Sequence, residues 1–349
     1  MIKSRAALTI PLMLLTLVLC CGHASQFNKK DYDRVLAGDR DLKALNLRYS
    51  SLKGITLENA DFRSTDLTGA DLRDAVIINS DFTGSNLTDA DCTGVKITGC
   101  RFTKANIKGA KLKKASISGA NFSGCDFRQC DMREASIKDS DFRETGFYGS
   151  SMNNSAFTGC DFTGADIMRA DFSGCDLTGC RFIQAYGGGA FMGKAKLDRA
   201  DLTGADFFGA DMSGCSFKGA TISGTKMYNT SLRSADLSGL VIDQAELTGA
   251  DLAGVNLDEA RLNDANLMGS LLNYAHMNKT ELRRANLRGA DLTEASLYYA
   301  NLEEADMTSA VLQKVNIRGA FLKGAKISRR YLNLIQVQNA THPSIIWVD

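Results

Sequence analysis

From Leu42 to Ile327 a large apolar residue stands at every fifth position, with no insertion or deletion. These sites, whose numbers end in 2 or 7, hold Leu, Phe, Ile or Met everywhere except Cys92 and Gly187. We call the large site i. From residue 60 onward, site i−2 holds a small residue or valine, with Leu240 the exception, and i−1 favours Asp or Asn. The two sites after i favour Thr, Ser, Arg or Lys and then Gly. A helix repeats every 3.6 residues and a strand every 2, so a period of five fits neither. It fits a chain that turns every five residues and points i and i−2 inward. One such unit cannot bury its own apolar side, so successive coils must stack.

The length of a coil is also legible. Phe62, Phe82, Phe102, Phe122, Phe142, Phe162 and Phe182 recur at twenty, as do Ile77, Ile97, Ile117 and Ile137, and Leu232, Leu252, Leu272, Leu292 and Leu312. Four beats therefore make one coil with four faces, and like side chains stack between coils at the ~4.8 Å strand spacing. Residues 42–327 would form about fourteen coils, a rod on the order of 70 Å long.

The beats ANFSGCDF, ADLTGADFFGADM and ANLRGADLTEASL resemble the A(D/N)LXX pattern of pentapeptide-repeat proteins. The resemblance runs over roughly residues 42–327. It implies an all-β solenoid, a right-handed quadrilateral β-helix; the handedness comes from the family alone. That fold hosts unrelated roles. One of them, topoisomerase binding by mimicry of DNA, needs a strongly anionic surface and a cytosolic location.

The chain ends differ from the repeat. Residues 1–24 combine a basic start, MIKSR, an apolar run, AALTIPLMLLTLVLCC, and small residues at Gly22 and Ala24 before Ser25. This reads as a signal peptide and implies export, periplasmic or secreted. Attachment of a lipid at Cys20 or Cys21 would add a membrane anchor. The residues before them, Leu19 and Cys20, are not the small residue usual there. Residues 25–41 read as an N-terminal cap, with a helix in NKKDYDRVLAG stopped by Gly38 and Tyr32, Val35 and Leu36 over the first coil. In residues 328–349, Ser328 is expected to N-cap a helix in RRYLNLIQV, with Leu332, Ile335 and Val337 over the last coil. The tail NATHPSIIWVD is open to folding back along the side.

Net charge is +1, from 41 basic and 40 acidic residues. This is neither a basic footprint for nucleic acid nor an acidic mask, so no nucleic-acid partner is expected. No catalytic set, phosphate-binding loop or metal-ligand spacing is present, so the reading is non-enzymatic, without cofactor or metal. Asp at i−1 reads as turn chemistry. The eight cysteines beyond residue 24 all occupy inward sites and read as small buried residues. Cys160 and Cys180 lie one coil apart on one face, which makes them the pair to test for a disulfide. Their Cα spacing suits a disulfide, but parallel Cβ vectors oppose a relaxed bond.

Binding must then live on the outward lanes. Three faces carry mostly polar residues at i+1. On the fourth, the face of Gly187, that lane reads Lys108, Arg128, Tyr148, Met168, Gly188, Phe208, Tyr228, Thr248, Met268, Arg288. Tyr186 adds to it at i−1. An apolar stripe with basic ends predicts a surface for an unknown protein partner or for a homodimer, with a notch at Gly187 in its middle. Two other readings stand beside it: the DNA-mimicking topoisomerase binder, and a secreted effector or surface protein acting on a host.

Overall fold

The computed structural model describes residues 27–338, 340 and 344–348. The signal-peptide segment, with Cys20 and Cys21, lies outside them. From Asp41 onward the chain winds into a β-solenoid of about fourteen turns. Each turn has four short sides, and the i−1 residue of a side pairs in parallel with the one twenty positions on, as Asp66 does with Asn86.

The backbone explains why a five-residue beat is stable. Leu67 N donates to Asn86 O in the following coil (2.7 Å), and Asp66 N donates to Leu45 O in the preceding one (2.9 Å). Ala70 N donates to Leu67 O (2.9 Å) and closes the corner. Most beats repeat this set, so most buried peptide groups are paired; the ladder is interrupted between Thr221 and Val241, where the bridge and its two bonds are missing. The corner residue at i+2 takes a positive φ, which glycine adopts without strain. At Gly99 a second constraint applies. A Cβ there would lie 2.6 Å from Asn79 Oδ1 of the preceding coil, so a side chain at 99 would have to push that amide aside.

Most sides are single bridges. Where β-branched residues gather on one face, they extend into a six-stranded parallel sheet: β1 (Thr56–Glu58), β2 (Val76–Ile78), β3 (Lys96–Thr98), β4 (Ser116–Ser118), β5 (Ser136–Lys138) and β6 (Ala156–Thr158). The predicted ladders are present. Neighbouring rings from Phe62 to Phe182 stack 4.7–5.1 Å apart, with planes within 19° of parallel.

At the N-terminal end, α1 (Lys29–Leu36) begins at Asn28, whose side chain accepts from Lys30 N at 3.0 Å. Val35 is buried in the common core, and Tyr32 is partly buried with its hydroxyl donating to Ser51 O at 2.8 Å. Leu36, expected over the first coil, is exposed. At the other end, β7 (Asp306–Met307) and β8 (Lys326–Ser328) lead into a 3₁₀ turn, Arg329–Tyr331, and then α2 (Leu332–Val337). The expected N-cap at Ser328 does not form, because the 3₁₀ turn intervenes and the hydroxyl makes no capping bond. Ile335 is buried as expected, but Leu332 is exposed. The tail does not lie along the side. Its β9 (Ile346–Val348) pairs in parallel with β8, Trp347 opposite Ile327, and so prolongs the Gly187 face by one more strand.

Candidate interaction face

The inward half of the repeat leaves little chemistry free. At i−2 sites, Ser150 donates to Phe127 O (2.7 Å) and Thr230 to Phe207 O (2.9 Å), in each case a carbonyl twenty-three residues earlier. Cysteines use the same acceptor: Cys125 to Phe102 O (2.8 Å), Cys175 to Met152 O (2.9 Å), Cys215 to Met192 O (3.0 Å). Cysteine here is a small buried donor, interchangeable in geometry with serine. All eight described thiols are buried and free. Burial pushes those of Cys92, Cys125, Cys175 and Cys215 up to about 12. Cys180 is raised well above its ordinary value by burial and by Cys160 beside it. It donates to Phe157 O, while Cys160 donates to Ile137 O at 3.8 Å.

The outward acids are also engaged. At i−1, Asp accepts from the backbone N–H two residues on, as Asp66 does from Thr68 N (3.0 Å). In five beats an arginine at i+1 folds back onto that Asp with two hydrogen bonds: Arg63 on Asp61, Arg73 on Asp71, Arg128 on Asp126, Arg133 on Asp131 and Arg143 on Asp141. The Arg63 guanidinium holds the Asp61 carboxyl down to about 2. His276 is exposed at an i−1 site. Among the described residues no group of three or more His, Cys, Asp or Glu could hold a metal ion.

Against this background the Gly187 face stands apart. Tyr148, Met168, Tyr186, Phe208 and Met268 are exposed there, Phe208 at 55% and Tyr186 at 58%. Tyr228 is half-buried in the same row. Those at i+1 share one side because each is held twenty or forty residues from the next by the backbone ladder. Tyr186 sits between Asp166 and Asp206 in its own lane.

The notch expected at Gly187 is filled. Gly187 is buried, and a Cβ there would lie 2.5 Å from Phe207 Cε1 and 3.3 Å from Asp206 O. Phe207, the large residue one coil on, occupies the space that a side chain at 187 would need. Gly187 N still donates to Asp206 O (2.6 Å), so the ladder is intact. The gap lies outside, at Gly188. A Cβ there would meet only Met168 Cγ at 3.9 Å and Phe208 O at 3.8 Å. Between Met168 and Phe208 the stripe therefore has a shallow slot with glycine as its floor.

Several exposed apolar residues escaped a reading confined to the i+1 lanes. Phe191, Leu271 and Val311 occupy one i−1 lane of the next face, Phe191 just around the corner from Gly188. Tyr299, at i+2, is exposed beside Tyr298 of an i+1 lane on another face, ring centroids 4.4 Å apart. Tracking large residues at i−1 and i+2 as well would have found them.

A four-sided stack of five-residue beats, apolar within and ladder-bonded between coils, defines a repeat scaffold. The family model for pentapeptide repeats matches residues 41–77, 66–103, 175–214, 200–239, 215–254, 250–289 and 290–329, and the model for the pentapeptide repeat region matches 95–172. The chain belongs to the pentapeptide-repeat family. Among solved structures it is similar to HetL, a pentapeptide repeat protein involved in heterocyst differentiation regulation from the cyanobacterium Nostoc sp. strain PCC 7120. Identity is 20%, over 86% of this chain and 97% of that one, with a TM-score of 0.27. Rfr23 from the cyanobacterium Cyanothece 51142 is 30% identical over 31% of this chain and 64% of that one, TM-score 0.24. Full-length QnrB1, a plasmid-mediated fluoroquinolone resistance protein, is 20% identical over 83% and 97%, TM-score 0.15. No curated protein matches the chain in sequence.

Proposed function

We propose that this protein is an exported, non-enzymatic scaffold that binds a protein partner, or a second copy of itself, through the apolar stripe on the Gly187 face. The observation that carries this reading is the row of exposed Tyr148, Met168, Phe208 and Met268 on one side of a rod whose other outward lanes are mostly polar. Contiguous exposed apolar surface on a soluble protein marks interaction sites. The tail is not its cover, since β9 stacks on the end of the solenoid. Export rests on the sequence of residues 1–24 and is tested by locating the protein in fractionated cells. Its detection outside washed cells would favour the host-directed reading.

The DNA-mimic reading is weaker on electrostatic grounds. It requires open lanes of carboxylate, whereas Asp61, Asp71, Asp126, Asp131 and Asp141 are each clamped by an arginine of their own beat. Gyrase inhibition at low micromolar protein would restore it.

The deciding experiment is light scattering after size exclusion on the protein and on a Phe208→Asp, Tyr228→Asp double variant. A dimer that becomes a folded monomer identifies the stripe as a self-interface. Two monomers of equal stability leave a heterologous partner, to be sought by crosslinking from position 208. A crosslinked partner that the double variant still binds would end the stripe reading.

A further inference from the structure

We propose, on the stripe reading above, that the occupant of the Gly187 face is a second copy of this chain. The copy lies antiparallel to the first, about a two-fold axis that runs along the strands between the coils of Gly187 and Phe207. Rotation about such an axis lays each outward lane against itself with the coil order reversed, the geometry of an isologous dimer.

Three features place the axis there. The parallel ladder of this face runs unbroken from Asn46 to Ile346. Its midpoint is the step between Tyr186 and Asp206, so this axis lets the two rods overlap from end to end. That same step joins the glycine slot to Phe208, the most exposed side chain of the i+1 lane. Rotation brings Phe208 of each copy onto Gly188 of the other. Met168 then meets the half-buried Tyr228, and Tyr148 meets Thr248, so large side chains face small or lowered ones.

The third feature is charge. In the i−1 lane the axis sets Tyr186 opposite Asp206 and Asp166 opposite Lys226, each pair occurring twice. Both acids have an oxygen to offer. Asp166 Oδ1 accepts from Met168 N (3.1 Å) and Asp206 Oδ1 from Phe208 N (3.1 Å), and no arginine of the described residues clamps either. Lys226 is exposed and comes only within 4.0 Å of Asp206 Oδ2. Farther out, Asp66 comes opposite Lys326, and nowhere in the lane does carboxylate face carboxylate. Like charges meet once, where Lys108 faces Arg288.

Other placements fit less well. An axis on the Gly187 coil sets Asp166 against Asp206 and Asp126 against Glu246. A shift by one whole coil sets Phe208 against Tyr148 or Tyr228 and leaves the slot to Met168 or Thr248. A parallel copy sets Asp166 and Asp206 against Met168 and Phe208, where covering a carboxylate is costly.

The test uses the whole protein, by light scattering after size exclusion and by zero-length carbodiimide crosslinking read by mass spectrometry. A dimer is expected, with Lys226 joined to Asp166. These two lie three coils apart in one rod, on the order of 14 Å, so a zero-length link between them crosses the interface. Gly188→Leu fills the slot. A Cβ at 188 has open space and its backbone lies outside the left-handed region, so this variant should melt as the parent does and be monomeric. Asp166→Lys should weaken association about tenfold or more by setting lysine against lysine, and adding Lys226→Asp should restore it. A protein that stays monomeric overturns the dimer and leaves the stripe to a heterologous partner. A dimer abolished by the Phe208→Asp, Tyr228→Asp variant, but with no Lys226–Asp166 link and no response to Gly188→Leu or Asp166→Lys, overturns the register and keeps the stripe. A dimer indifferent to all of these variants overturns both.

Discussion

The two halves of the rod keep the same coil but fill and fasten it differently. Up to about residue 217 the core is built on phenylalanine, with Phe142 touching the rings of Phe122, Phe127, Phe147, Phe157 and Phe162. All eight described cysteines lie in this half. Beyond it the large sites are mostly leucine and the small sites mostly alanine. The surface differs in parallel. In the N-terminal half, five arginines clamp an Asp of their own beat, beside coil-to-coil pairs such as Arg48–Asp66 (3.0 Å) and Arg101–Asp81 (3.2 Å). In the C-terminal half, ion pairs reach one coil back, as in Arg284–Asp264 (2.7 Å), Lys279–Glu259 (2.8 Å) and Lys314–Glu294 (3.0 Å). The backbone ladder is indifferent to these choices. What it requires is a constant cross-section, and a Phe with Cys or Ser supplies that as well as a Leu with Ala. Flat rings resist slippage between coils, whereas leucines do so less, and in the leucine half the own-beat arginine clamps give way to pairs that join neighbouring coils.

Alkaline titration should separate the halves most. Folded thiols held near 12 stay protonated where unfolded thiols, near 8.5, ionise. The stability they contribute is complete below about pH 8.5 and falls as pH rises toward 12. Each buried thiol costs about 1.4 kcal/mol per pH unit in that window. With Cys92, Cys125, Cys175 and Cys215 all in one half, the loss at pH 10 reaches several kcal/mol on this scale. Hydrogen exchange should show residues 92–215 opening first while Trp347 fluorescence, at the far end, stays native. Simultaneous loss would break the comparison. Replacing these four together with Cys100, Cys130 and Cys180, whose thiols burial also raises, by alanine should remove the effect.

Core truncation comes next. Phe142→Ala should cost about 3–5 kcal/mol and Leu292→Ala about 2–5, with the first larger by urea denaturation because it interrupts stacking on both sides. Equal costs would mean that the ring ladder adds nothing beyond volume.

Restoring the regular beat with Gly187→Leu should destabilise by about 1–3 kcal/mol, through overpacking against Phe207. Adding Phe207→Leu should recover most of it. A stabilising Gly187→Leu would show that the space at 187 is empty after all.

The smallest effects belong to the surface pairs. Arg284→Ala should lower the melting temperature slightly, and less in high salt. Arg128→Ala should change it less still, because its partner lies in the same coil. The reverse order would refute the idea that coil-to-coil pairs fasten the leucine half.

Much of this was legible from residue types alone. Residue 207 was readable as inward, Phe208 as outward and Cys125 as buried, because a strict period gives each residue its side of the wall. The candidate stripe was legible for the same reason, from Tyr148 to Met268. Phe191 was hidden only by following one lane per face. The filled space at Gly187 was not legible, since it depends on how a ring in the next coil leans, and no period encodes that.

The sequence by itself determined the coil: its twenty-residue length, its four faces, and which side chains point in or out. Register fixes every residue's neighbours once the period is unbroken. Only the tertiary structure decided what happens where the repeat fails or ends. It placed Phe207 over Gly187, directed cysteine thiols to carbonyls twenty-three residues earlier, and laid β9 on the last coil. These outcomes turn on side-chain volume and hydrogen-bond supply between coils, where packing alone chooses among arrangements that the period leaves equal.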